Sequence, residues 1–413
     1  MLKSKGTINK FMCLLCLFIV LTLSTGFGYS SEKGKISRNI YIQDVYVGSM
    51  GLDEARKKLN DKYKIGPILI KYNDNKWTIN PSDINLDYNI EESLMQAYKY
   101  TRTDNKLENI KRYIDLSFNQ PQKIYLRATY DELKLTKYLE KISRTINIDV
   151  EEANIKINDS GEFKRIPSKD GLEVDVVKLK EEIYKMIRKK SISKKALDAP
   201  VKVVKPKITT KDVESIDSIL GKYSTSFNEN NARGNNIHIA GKSSSDKIIM
   251  PQEIFSYNKS TGSRTSSNGY KPAKVIVGGK YVNGEGGGVC QVSTTIYNAA
   301  LLAALPIEEV HNHTFPSRYA PRGKDAAVSY GYTDLKFKNP YSHPIYIKNI
   351  VSNGAITSMI YGSSQDKERV FIKTEEQYKN DNLVVKTYRI YLDEENNKIR
   401  EELVSTSKYK TKH

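Results

Sequence analysis

The sequence predicts an α+β fold in two parts: a duplicated helix/antiparallel-sheet module, then a second α+β domain with a cysteine at a helix N-terminus. Three observations carry this. Two segments between residues 40 and 190 echo each other at an offset of 86 residues. An extended, proline-bearing stretch follows them. Beyond it, a glycine-rich turn runs straight into an apolar segment of helical period that begins at Cys290.

The 413 residues suit two or three domains. At 38% hydrophobic and 28% charged, the composition is that of a soluble globular chain. The first 28 residues read as an address rather than a fold element. Lys3, Lys5 and Lys10 precede the apolar run from Phe11 to Leu23, and Gly26-Phe27-Gly28 offers a small-x-small cleavage site. The run is shorter than the roughly 20 residues that span a bilayer, so a cleaved signal peptide is expected, with a retained anchor as the alternative. The remainder is expected to act outside the cytoplasm.

Lys+Arg 66 against Asp+Glu 48 gives +18, of which the three leader lysines supply three, leaving +15 beyond residue 28. The lysines are interleaved with Asp, Glu and Asn and form no basic stripe, which argues against nucleic acid as a partner. Biased codon usage accounts for such a composition, and attraction to an anionic envelope polymer is the functional alternative. Of three cysteines, Cys13 and Cys16 lie in the leader. Cleavage would leave Cys290 alone, which excludes an intrachain disulfide and a cysteine-based zinc site.

Within the repeat, Trp77 matches Phe163, Pro81-Ser82 matches Pro167-Ser168, Leu86 matches Leu172 and Tyr98 matches Tyr184. Asn89 and Asp175 correspond, each a predicted N-cap. Asn73-Asp74-Asn75 and Asp159-Ser160-Gly161 are turn sequences. Each unit reads helix, strand, turn, strand, helix. The helices are placed at Asp53–Leu59 and Glu91–Tyr100, then Asp131–Arg144 and Val176–Lys189. The module lacks His and Cys. Trp77, the only tryptophan, is read as core rather than as a sugar-stacking platform. Residues 29–190 are therefore one domain and 191–208 a linker.

A helix from Thr210 to Tyr223, capped by Thr210, opens the second domain, 209–364. Gly284 to Gly288 then leads into Val289-Cys290-Gln291-Val292, and from Gln291 the apolar spacing is helical up to Pro306. A thiol at such a seam is activated: the open N–H groups and the positive end of the helix dipole stabilise the thiolate. Glycines let backbone amides approach a developing oxyanion. A small buried cysteine packing behind the helix is the inert alternative.

A nucleophilic thiol needs a base, usually His. Glu308 to Pro316 reads as a strand, which would set His311 and His313 on one face. Two His at this spacing could ligate a metal, but no third ligand is evident, and no cofactor is expected. Asp325 is the candidate orienting carboxylate. Cysteine at a helix start with histidine on a later strand is the geometry of papain-like thiol enzymes, so the second domain is expected to have papain-like geometry.

Gly286 to Ala300 strongly resembles the core motif of VanW-domain proteins, as do His311-Asn312-His313-Thr314, Tyr319 to Ala326, and Asp334 to Asn339. Arg233 to Ile237 and Pro251 to Asn258 fit as well, with Gln252 where a glycine would be expected. The likeness spans about residues 212–363. The module before it resembles the peptidoglycan-binding domain that commonly precedes VanW. The resemblance implies a cysteine L,D-transpeptidase forming 3-3 cross-links through a Cys290 thioester. It implies His313 as base and Gly287, Gly288, Arg318, Tyr319 and Arg322 as substrate-binding residues, with the glycine amides on the oxyanion and Arg318 or Arg322 on a stem carboxylate. The partners would be peptidoglycan stem peptides and glycan, in the wall or at the outer face of the membrane, with membrane contact only through an uncleaved leader. Two alternatives stand beside it: a thiol hydrolase or carboxypeptidase, and a non-catalytic wall-binding accessory protein of glycopeptide resistance. Residues 365–413 read as a strand-rich extension, with a turn at Asp393 to Asn397 and no assigned role.

Overall fold

The computed structural model describes residues 34–410, apart from residues 119, 190–195, 278–279 and 380–381. The predicted leader and part of the predicted linker lie outside the described residues. The fold is α+β, as expected, and its contacts divide it into two units, the first being Met1–Asp149 with Gly171–Val204.

In the first unit, all four predicted helices form, at Leu52–Lys62, Ile90–Lys99, Glu132–Ile146 and Val176–Arg188. A fifth helix, Lys106–Ser117, was not anticipated. Asp131 and Asp175 cap their helices, accepting from the amides of Lys134 and Lys178 at 3.0 Å. Asn89 occupies the N-cap position without capping, because its Oδ1 is taken by the amide of Arg127 at 2.6 Å. The hairpin Ile68–Tyr72 with Asn75–Ile79 sets Ile68, Ile70 and Ile79 against Leu135, Leu139, Leu179 and Ile183. Trp77 packs half-buried at the margin of that cluster. The stretch read as a linker adds two strands instead: Leu197–Asp198 pairs with Ile68–Tyr72, and Val201–Val204 with Gly171–Val174.

The second unit is Val150–Asp170 with Lys205–His413. Its first elements are β1 (Asn154–Ile157) and β2 (Phe163–Ile166), an antiparallel hairpin. This is the second copy of the repeated hairpin, yet it does not rejoin the first unit. Ala153, Ile155 and Ile157 are buried with Val213, Ile216, Tyr346, Met359 and Tyr361 of the second unit.

The helix expected over Thr210–Tyr223 is instead α1 (Thr210–Glu214) followed by β3 (Ser218–Ser226). Thr209, not Thr210, is the N-cap, in a reciprocal box with Asp212. The Tyr223-Ser224-Thr225-Ser226 end favours an extended backbone, and pairing along β11 (Ala355–Gly362) overrides helical propensity. Next come α2 (Ala232–Ser243), β4 (Lys247–Ile249), β5 (Ile254–Ser256) and α3 (Tyr257–Thr261). The hairpin β6 (Pro272–Val277) with β7 (Lys280–Glu285) leads to α4 (Val289–Leu302). Then follow β8 (Ile307–Glu309), β9 (Lys336–Lys338) and β10 (Ile345–Ser352).

The main sheet is antiparallel in the order β3-β11-β10-β4, and β5-β9-β8 form a smaller one. Helix α4 lies against β3 and β11. Gly221 of β3 permits this approach, since a Cβ there would fall 2.2 Å from the Ala299 carbonyl oxygen. Every α4 residue from Gln291 to Leu301 is buried, so the helix is the centre of the core rather than an amphipathic surface element.

The chain closes with an antiparallel sheet of β12 (Val370–Lys379), β13 (Asn382–Leu392) and β14 (Lys398–Lys410). The turn predicted at Asp393 to Asn397 joins the last two strands, with the Asn397 amide on Asp393 Oδ1 at 2.7 Å. The sheet joins the body of the second unit: Arg389, 1% exposed, donates from Nη2 to the Leu305 carbonyl at 2.7 Å.

Candidate functional site

Gly288 is the N-cap of α4 with φ 116°, a conformation open to glycine and strained for other residues. A Cβ there would also fall 2.9 Å from the Arg233 carbonyl oxygen. A glycine cap brings no side-chain acceptor; the Val289 amide donates instead to the Gly286 carbonyl at 3.1 Å and the Gln291 amide to the Gly288 carbonyl at 3.0 Å. Cys290 is the second residue of α4 and is partly accessible. The neighbouring Gly287 is buried, its carbonyl receiving Asn236 Nδ2 at 3.0 Å.

The polar side chains of α4 fix what surrounds the thiol. Gln291 donates to Thr225 Oγ1 (3.1 Å) and the Ser226 carbonyl (2.9 Å), and its Oε1 receives Arg233 Nη2 at 3.0 Å. Ser293 Oγ donates to the Ala326 carbonyl at 2.7 Å, the Ala326 amide to Thr294 Oγ1 at 2.9 Å, and Asn298 Nδ2 to the Lys324 carbonyl at 2.7 Å. This ladder holds the loop at Lys324 to Ala326 along the helix, with Asp325 at its middle.

Asp325 is 2% exposed. Its Oδ2 receives the His313 backbone amide at 2.8 Å and His313 Nδ1 at 2.6 Å, and its Oδ1 receives the Tyr409 hydroxyl. With Nδ1–H committed to the carboxylate, Nε2 of His313 turns to the thiol and to the Tyr319 hydroxyl, 3.5 Å away. Tyr319 stands edge-on to the imidazole, with Arg233 5.7 Å from its ring centre. Burial pushes the Cys290 thiol up. The hydrogen bond and positive charge of His313, the Val328 backbone and the charge of Arg264 outweigh it, and the thiol sits below its ordinary range. Burial likewise works against the charged form of His313, but Asp325 and Cys290 raise it to about 10. Both shifts run in the same sense, favouring the charged imidazole of His313 and the deprotonated form of Cys290 beside it.

Of the residues singled out in the sequence, Cys290, His313 and Asp325 come together, with Tyr319 beside them. His311 does not join them. The strand expected from Glu308 to Pro316 stops at Glu309. Beyond it the backbone takes its partners from loops and from β14: the Ala327 amide on the His311 carbonyl, and the Lys410 amide on the Thr314 carbonyl. His311 instead meets Glu309 Oε1 at 3.1 Å in an exposed pair. Arg318 is exposed, and Arg322 is exposed and paired with Glu376 at 2.9 Å. Tyr409, Thr294, Gln291, Arg233 and Arg264 were not picked out as site residues. Only the position of Gln291 next to the cysteine hinted at its part. Among the described residues, no group of three or more His, Cys, Asp or Glu is gathered so as to hold a metal ion.

The site is thus of the cysteine–histidine–aspartate type, carried at the start of a buried helix in an α+β unit. Residues 232–361 match the family described as "VanW like protein", and residues 77–195 match the family described as "Putative peptidoglycan binding domain". The chain is 33% identical to the uncharacterized protein YoaR of Bacillus subtilis (strain 168) over 242 residues, 58% of this chain and 78% of the relative. It is 26% identical to the vancomycin B-type resistance protein VanW of Enterococcus faecalis (strain ATCC 700802 / V583) over 135 residues, 32% of this chain and about half, 49%, of that protein. No solved structure matches. The chain belongs to the VanW-like family. Cys290, His313 and Asp325 all lie inside the matched segment, whereas Tyr409 lies outside it.

Proposed function

We propose that this protein is a cell-wall acyltransferase that forms 3-3 cross-links between peptidoglycan stem peptides through a Cys290 thioester. The observation that carries the reading is the chain of contacts from buried Asp325 through His313 to the partly accessible Cys290. The two family matches support a cell-wall-associated, extracytoplasmic role, and the first unit would bind the wall polymer. Among the described residues no helix is long and apolar enough to cross a membrane.

In the first half-reaction, the Cys290 thiolate attacks the carbonyl carbon between the third and fourth stem residues. The S–C bond forms and the C–N bond breaks. The His313 Nε2 proton passes to the departing amine of the fourth residue, D-Ala. The Cys290 amide and those of the glycine turn, not the engaged amides of Val289 and Gln291, would hold the oxyanion, a contact usually worth about 10²–10³ in rate. In the second, the side-chain amine of a neighbouring stem attacks the thioester, His313 takes its proton, and the thiolate is expelled. Water in place of the amine would give hydrolysis, so the outcome depends on how well the acceptor site excludes water.

The test is to incubate purified protein with tetrapeptide muropeptides and analyse the products by mass spectrometry. A 3-3 dimer that disappears in Cys290→Ala, with binding to sacculi retained, supports the proposal. Monomers shortened by one residue would make it a hydrolase, and a dimer yield unchanged in Cys290→Ala would remove the thiol from the mechanism.

A further inference from the structure

Arg264 follows α3 and borders the glycine turn: a Cβ at Gly286 would lie 2.8 Å from the Arg264 Cβ. Its Nη2 donates to Asn258 Oδ1 at 2.6 Å and Thr261 Oγ1 at 2.9 Å. The guanidinium carbon lies 5.5 Å from the ring centre of Tyr257 and 5.6 Å from that of Tyr330. The first ring is fully buried and the second is half exposed, so the group sits at the boundary between core and surface. Its remaining donors, Nε and Nη1, are buried and have no hydrogen-bond partner.

A guanidinium cannot shed its charge, so its open N–H groups cannot be relieved by deprotonation. Buried polar atoms in folded proteins are nearly always satisfied, and an exception is a place where a partner is expected. The neighbours that hold Arg264 are neutral, and its charge is felt at Cys290. Arg322, by contrast, already has Glu376.

We infer that Arg264 is a carboxylate-binding residue of the cleft, which takes an anionic group attached one residue beyond the carbonyl that Cys290 attacks. The inference rests on Cys290 being the reacting thiol, and it deepens that reading by naming the donor. A stem whose fourth residue ends in a free carboxylate places that charge three bonds from the scissile carbonyl carbon. A stem extended by a fifth residue, or amidated at its end, presents a neutral amide there. Arg264 would therefore select tetrapeptide donors by their terminal charge.

The experiment uses the full chain and two alkylating reagents of nearly equal size, anionic iodoacetate and neutral iodoacetamide. Each forms the same S–C bond and expels iodide. Modification is read by mass on the peptide containing Cys290, so Cys13 and Cys16 do not contribute. The ratio of iodoacetate to iodoacetamide rate is expected to exceed that of glutathione about tenfold. It is expected to fall to near the glutathione value in Arg264→Gln and to be partly restored in Arg264→Lys. Arg264→Met, which keeps the apolar stem between the two tyrosines, serves if the glutamine variant folds poorly. A wild-type ratio no higher than that of glutathione, or one that survives loss of the arginine, overturns the carboxylate role alone. A Cys290 inert to both reagents overturns the thiol reading and this inference with it.

Discussion

The hydroxyl of Tyr409 donates to Oδ1 of Asp325 and receives the amide of Gly323 at 2.7 Å, joining the last strand to a carboxylate 84 residues earlier. Asp325 thereby has a donor on each oxygen, and His313 is held by a carboxylate that has no freedom to turn. The C-terminal sheet is thus part of the support of the site, although the family match ends at residue 361.

Tyr409→Phe removes that donor and leaves both the Asp325 oxygen and the Gly323 amide short of a buried partner. A loss of about 2–3 kcal/mol is expected, the usual cost of stranding a buried charged acceptor. It would be seen as a lower unfolding midpoint by calorimetry. Iodoacetamide should also modify Cys290 several-fold more slowly in this variant near neutral pH.

The pH dependence of Cys290 alkylation follows from the two shifts. With the thiol below its ordinary range and His313 raised to about 10, the iodoacetamide rate should rise at lower pH than it does for glutathione. It should then stay level until His313 loses its proton. In His313→Ala the burial of Cys290 remains without the compensating cation, so the rise should move above the ordinary thiol range.

Stability should carry the matching signature. His313 is raised from 6.5 to about 10 on folding. Its contribution is therefore complete below about pH 6.5 and disappears as pH climbs through about 10. Urea midpoints for wild type and His313→Ala should differ most at the acid end of that window and converge above it. A constant difference across the range would contradict this.

His311→Ala tests which histidine matters. Its ring makes only an exposed contact with Glu309, and such pairs contribute about 0–1 kcal/mol. Dimer yield and unfolding midpoint should both stay near wild type, whereas His313→Ala should abolish dimer formation.

Gly288→Ala places a side chain at φ 116° and 2.9 Å from the Arg233 carbonyl oxygen. A cost of about 1–3 kcal/mol is expected from the backbone strain, together with slower alkylation as the start of α4 shifts. Circular dichroism and the iodoacetamide rate, measured together, separate a displaced helix start from general unfolding.

Local signals were legible in the sequence and long-range ones were not. The glycine run and the apolar period after Gln291 placed the start of α4 within two residues, though it ends at Leu302 rather than running up to Pro306, and the first-unit helices lie within one to three residues of their expected ends. Asp325 could be nominated from its neighbourhood in the chain. The strand expected around His311 and His313 failed because its backbone partners come from Asp325, Ala327 and Lys410, which no local pattern reveals. The helix expected through Tyr223 failed for a related reason, since pairing with β11 decides that segment. Tyr409 could not be found at all: a tyrosine in a Lys-rich tail carries no mark of a partner 84 residues away. Both hairpins of the expected repeat form, but the second buries its isoleucines within the second unit. Similarity between copies does not say which core each copy joins.

The placement of Tyr409 also sets an order of events in the life of the chain. A ribosome finishes Cys290, His313 and Asp325 well before it reaches the strand that steadies them. Until that strand has been made and has folded back, the Asp325 carboxylate and the Gly323 amide lack the hydroxyl between them. A chain broken off within β14 ahead of residue 409 would therefore carry all three site residues with Asp325 held through Oδ2 alone, its Oδ1 lacking the donor that the last strand brings.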